Sequence, residues 1–211
     1  MPKLPRPAEE IKEIRQKILD QALEMIAEDG FDGMTMRRLA NKFGFAAKTL
    51  YNYFSSKDEI YLMVLERGFE ILNSKVENSG RGLTDPVIKL RSMCRTYVDF
   101  GIRNANYYNI MFNWDVPRYI DYKNTIIEPV AREEKDIAYN LAAIIGNAVD
   151  EIWNLYQNFS REDVSYLILR LWATLHGVVS LYNSGGIHSY ESRPDAVVER
   201  LIEDAIRPFL P

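Results

Sequence analysis

Residues 33–57 read GMTMRRLANKFGFAAKTLYNYFSSK. The window holds Arg37, Arg38, Lys42, Lys48 and Lys57 and no Asp or Glu, a local charge of +5 in a chain of net charge -4. Thr35 stands where an N-cap belongs for MRRLANKF, and Gly44 stands where the helix end needs a left-handed residue. A second short helix follows over about 46–52. Two short helices joined by a tight glycine turn form a helix-turn-helix. Leu39, Ala40, Phe43, Leu50 and Phe54 are the expected inward contacts. That leaves Ala47, Lys48, Thr49, Tyr51, Asn52 and Tyr53 to face outward.

The outward set has the chemistry of a base reader. A seven-residue helix is about 10 Å long and suits a major groove about 12 Å wide. Lysine donates to guanine O6 and N7, asparagine pairs with adenine, and a threonine methyl meets the thymine methyl. Thr35, Arg37, Tyr53 and Lys57 are placed for phosphates, which take half or more of the hydrogen bonds in such interfaces. Residues 1–67 balance their charges, so any anionic partner should meet the 33–57 window.

Around this window almost every segment has a helical period, and no alternating strand pattern occurs. Ile11, Ile14, Ile18, Ala22, Met25 and Ile26 predict a helix over about 8–29, ended by Gly30. Ser55 or Ser56 caps a long helix whose first turn holds Asp58 and Glu59. Thr84 or Asp85, with Pro86, opens another over about 85–104. NYYNIMFNW is a shorter helical piece and DVPRYIDY a break. Over 119–157, Pro129 kinks a helix or separates two. Ser160 and Asp163 resemble a capping box for a helix to about Asn183. NSGGIHSYESRPD is a loop, and AVVERLIEDAIRPF is the last helix.

The segment GFDGMTMRRLANKFGFAAKTLYNYFSSKDEIYLMVL resembles the N-terminal domain of the TetR family of bacterial transcriptional regulators. The marks are GFDGMTM, RRLANKFGF through the turn, TLYNYF in the second helix and SSKDEIYLMVL leading onward, and WATLHGVVSLY resembles a helix of many C-terminal domains. The resemblance implies an all-α homodimer: a helix-turn-helix DNA-binding domain over 1–55 and a helical ligand-binding and dimerisation domain over 56–211. Carried over by position, Thr35, Ala47, Lys48, Thr49, Tyr51, Asn52, Tyr53 and Lys57 fall where family members touch DNA. Ala46 departs from the Ser or Thr that often caps this helix, a loss that costs about 1 kcal/mol. The implied function is a cytoplasmic, ligand-responsive repressor that binds a palindromic operator in double-stranded DNA and is released by a small-molecule inducer.

In the C-terminal region, Val164, Leu167, Ile168, Leu171, Trp172, Leu175, Val178, Val179 and Tyr182 form a stripe too wide for one contact. With Val198, Leu201, Ile202, Ala205 and Phe209 of the last helix, and with symmetry mates, it predicts a four-helix dimer interface. An aromatic-rich segment lies before it, from which Tyr97, Tyr108, Phe112, Trp114, Trp153 and His176 are the candidate lining of a ligand pocket. No basic cluster points there, which favours an apolar or cationic inducer.

Several classes are excluded as expectations. One cysteine, Cys94, permits no intrachain disulfide and reads as a small buried apolar residue. Two histidines and no HExxH or CxxC argue against a metal site, and no cofactor motif is present. LILRLWATLHGVVSLY is broken by Arg170 and His176, so no membrane span is expected. A helical enzyme or scaffold using the aromatic cavity is the alternative, but GxSxG, P-loop and GxGxxG are missing.

Overall fold

The computed structural model describes residues 7–113 and 116–211. Its helices are α1 (Ala8–Gly33), α2 (Met36–Lys42), α3 (Ala47–Leu50), α4 (Lys57–Gly80), α5 (Pro86–Arg103), α6 (Ala105–Tyr108), α7 (Tyr119–Tyr122), α8 (Glu128–Tyr156), α9 (Val164–Asn183), α10 (Gly186–Tyr190) and α11 (Pro194–Ile206). No strand occurs among the described residues. The chain is all-α, as its periodicity predicts. It forms two compact units, one running to Gly68 together with Asn106–Ala138, the other Phe69–Ala105 with Tyr139–Pro211.

In the first unit, Ile18, Leu19, Ala22, Met25 and Ile26 of α1 are buried with Leu39, Ala40, Leu50, Phe54, Ile60, Tyr61 and Val64. Gly30 ends the regular helix expected over about 8–29. It breaks the helix with φ 76° and ψ 172°, a conformation open to glycine, and one more turn follows to Gly33. Tyr61 donates to the Pro117 carbonyl at 3.0 Å, and Tyr122 donates to Asp58 at 3.0 Å. The 106–138 segment is thereby bound along the first turns of α4.

Local signals explain most boundaries. Ser56 Oγ accepts from the Glu59 amide, while the Glu59 carboxylate accepts from the Ser55 amide and hydroxyl. Asp85 accepts from the amides of Val87 and Ile88 with Pro86 in the first turn. Pro129 sits in the first turn of α8 and so marks a junction. Ser160 caps through the Glu162 amide, but what it opens is a short 3-10 turn, Arg161–Asp163, that leads into α9. The expected loop after Asn183 contains α10, because Gly185 at φ 78° starts a new helical turn.

In the second unit α5, α9 and α11 pack on one another. Arg91 meets both oxygens of Glu203 at 2.9 and 3.0 Å, and Arg95 meets Glu199 and Glu203. Cys94 is buried, and loss of hydration pushes its thiol up to about 12. By length and composition alone Arg161–Asn183 could cross a bilayer. One side of it, Leu167, Leu171, Leu175, Val178 and Val179, is buried against helices of the unit. The exposed apolar residues of α9 include Trp172 (43 %) of the predicted stripe and, outside it, Tyr166 (62 % exposed), Leu169 (58 %), Ala173 and Leu181, with Gly177 half-buried among them.

Candidate nucleic-acid interface

The turn between α2 and α3 is built from backbone bonds. Thr35 Oγ1 accepts from the Arg38 amide at 3.3 Å and opens α2. At the other end the Phe45 amide donates back to the Ala40 carbonyl and the Gly44 amide to Asn41, with Gly44 at φ 64°. This is a Schellman ending, which requires the left-handed residue that Gly44 supplies. Ala46 precedes α3 with extended backbone and no side-chain cap.

Leu50 and Phe54 fasten α3 to the core, and Lys48, Tyr51 and Asn52 are exposed. Tyr51 is 54 % exposed, a large aromatic held in solvent. Ala47 and Thr49 are half-buried at the edge of the same face. Arg37 and Lys42 are exposed on α2, and with Lys48 they make no ion pair among the described residues. Arg38 is different, because it is tied to Asp29 at 2.5 Å and to the Gly33 carbonyl.

Two expected DNA contacts sit elsewhere. Tyr53 does not face outward: it is 9 % exposed, with its ring stacked on Phe45 at 6.4 Å. The reason is that α3 ends at Leu50 and the chain tightens, the Tyr53 amide donating to Leu50 and the Phe54 amide to the same carbonyl. A helical period carried past Leu50 puts Tyr53 on the wrong side. Lys57 is anchored rather than free, its ammonium 3.1 Å from the Phe31 carbonyl, 3.7 Å from the Phe31 ring centroid and 3.7 Å from Asp32.

The candidate ligand residues fall in both units. In the second unit Trp172 donates to the Tyr97 hydroxyl at 3.1 Å, and the Trp172 ring lies 5.6 Å from that of His176. Burial lowers the affinity of His176 for a proton. Trp153 donates to the Phe159 carbonyl, and Arg161 lies 4.6 Å over its ring. Tyr108 and Phe112 pair ring to ring at 4.9 Å in the first unit. Trp114 lies outside the described residues.

A capped helix, a left-handed glycine and a short second helix that presents lysine, tyrosine and asparagine to solvent together define a helix-turn-helix DNA-binding transcription regulator. Residues 18–64 match the family model for bacterial regulatory proteins of the tetR family. Residues 90–205, more than half of the chain, match the tetracyclin repressor-like C-terminal domain. The chain belongs to the TetR family.

Among curated relatives, the HTH-type transcriptional activator FasR of Mycolicibacterium smegmatis is 33 % identical over 103 residues, 49 % of this chain and 47 % of that protein. The HTH-type transcriptional repressor KstR of Rhodococcus jostii is 37 % identical over 67 residues, 32 % of each. The chain thus spans less than half the length of these two relatives. Among solved structures, that of regulatory protein SCO4313 superposes with a TM-score of 0.76 at 19 % identity, covering 97 % of this chain and 100 % of that one. The ketosteroid transcriptional regulator KstR2 of Mycobacterium tuberculosis gives 0.68 at 16 % identity over 92 % and 93 %. At such identities the likeness concerns the fold.

Proposed function

We propose that this chain is a cytoplasmic repressor that binds a palindromic operator as a homodimer and is released by a small molecule. The domain assignment is DNA binding over 1–55 and ligand binding with dimerisation over 56–211. The observation that carries the reading is the solvent face of α3, where Lys48, Tyr51 and Asn52 are exposed while Leu50 and Phe54 hold the helix. Thr35 and Arg37 at the start of α2 serve phosphates, and Ala47 and Thr49 serve base methyls.

The homodimer rests on the unburied apolar face of α9. Ala173 and Gly177 at its centre let a symmetry mate approach closely, and nothing lies within 4 Å of a methyl group placed on Gly177. Two recognition helices then reach successive major grooves about 34 to 36 Å apart. An apolar or cationic inducer is favoured by the aromatic character of Tyr97, Trp172 and His176. A ligand that prefers a dimer with the wrong spacing shifts the population off DNA. The chain acts by binding, not catalysis; its two curated relatives bear the names of a transcriptional activator and a transcriptional repressor.

The test begins by selecting duplexes from a random pool and measuring affinity for the enriched sequence by fluorescence anisotropy. Lys48→Ala and Tyr51→Ala should each weaken it about tenfold to a hundredfold, the worth of a base contact of 1 to 3 kcal/mol. Unchanged affinity and salt dependence in both variants would remove α3 as the reader.

A further inference from the structure

Arg15 lies on α1 between Ile11 and Leu19, a cation within the apolar stripe of that helix. Its guanidinium reaches three other parts of the first unit. Nη1 donates to the carbonyl of Tyr53, where the turn after α3 ends. Its Cζ lies over the Phe54 ring, 4.2 Å from the centroid. Nη2 lies 3.9 Å from Glu59 of α4 and 3.1 Å from Met63 Sδ. The Glu59 carboxylate is itself held by the Ser55 amide and hydroxyl, both at 2.6 Å.

We propose that Arg15 is a positioning residue for sequence readout, clamping the end of the recognition helix to α1 and to the first turn of α4. The physical grounds are specific to arginine. Its planar fork can donate in one direction while its face covers an aromatic ring, which an ammonium cannot do. A four-residue helix makes few packing contacts of its own, so its direction depends on what holds its ends. Tilting it displaces Lys48, Tyr51 and Asn52 together. Losing the clamp therefore costs discrimination among sequences and leaves general attraction to DNA intact.

The inference rests on the operator reading, and the experiment separates the two. Affinities of wild type, Arg15→Ala and Arg15→Lys are measured for the duplex enriched by wild type and for a random duplex of equal length, across a salt series. For Arg15→Ala the ratio of specific to random affinity should fall about tenfold to a hundredfold, as when one or two base contacts are lost. Random-duplex affinity should change by less than about twofold, with the slope against log salt unaltered, because no phosphate contact is removed. Arg15→Lys should fall between, and it carries the same test if Arg15→Ala does not fold. A folded variant with an unchanged ratio overturns the clamp while the operator reading stands. Equal losses on both duplexes with a slope smaller by about one identify a phosphate contact instead and also overturn it. Failure of wild type to enrich any sequence overturns the operator reading, and the clamp's role in readout with it.

Discussion

Ala173→Arg should yield a folded monomer whose affinity for the selected palindrome is lower by about a hundredfold to ten-thousandfold, the gain that joining two binding modules provides. Ala173 is exposed at the middle of the outer face of α9, one turn from Gly177 and flanked by Tyr166, Leu169 and Leu181. In a two-fold interface the same position meets its own neighbourhood, so each subunit would bury an arginine without a partner. The inner face, Leu167, Leu171 and Leu175, is untouched, and the fold should survive. Light scattering reports the mass, circular dichroism the fold and anisotropy the affinity. Binding to a single half-site should be unchanged. A variant that remains dimeric with full affinity would place the interface elsewhere.

Glu134→Gln should remove a pH dependence of stability worth at most about 3 kcal/mol, taking 1.36 kcal/mol for each unit of displaced pKa. Glu134 is 8 % exposed, and burial raises its carboxyl to about 7; Glu66 adds to the rise and Arg118 opposes it. The native state therefore keeps the proton that the unfolded chain releases near its ordinary value of 4.5. Stability from this group is complete below that value and is lost as pH rises through about 7. Urea unfolding of wild type at pH 5 and pH 8 should show the loss, and the glutamine variant should be the more stable at pH 8. Parallel curves for the two proteins across this range would show that Glu134 is not the titrating group.

The DNA-binding half was legible because its signals are local. Thr35 caps within its own turn, Gly44 supplies a backbone angle, and Leu50 and Phe54 return at a spacing that a single helix face requires. The misreading of Tyr53 is equally local: nothing in TLYNYF announces that the helix tightens after Leu50. The candidate ligand residues were less legible because an aromatic residue alone does not announce its partner. Trp153 donates to a carbonyl presented just after the turn at Gln157, φ 47°, a geometry set by the backbone that follows α8 rather than by composition. Glu134 reads in sequence as one acid among the charges of AREEKD, and only packing separates it from Glu133, which is exposed.

The anchoring of Lys57 bears on the thermodynamics of the protein's encounter with DNA. Each cation that neutralises a phosphate releases a condensed counterion and steepens the fall of log affinity with log salt by about 0.9. Two of the five cations of residues 33–57 are already occupied, Lys57 by the Phe31 carbonyl and ring and Arg38 by Asp29 and the Gly33 carbonyl, so the chain should displace two counterions fewer than that count suggests. A smaller share of its affinity is then electrostatic, and binding should tolerate changes in cellular ionic strength better than the +5 charge of residues 33–57 implies.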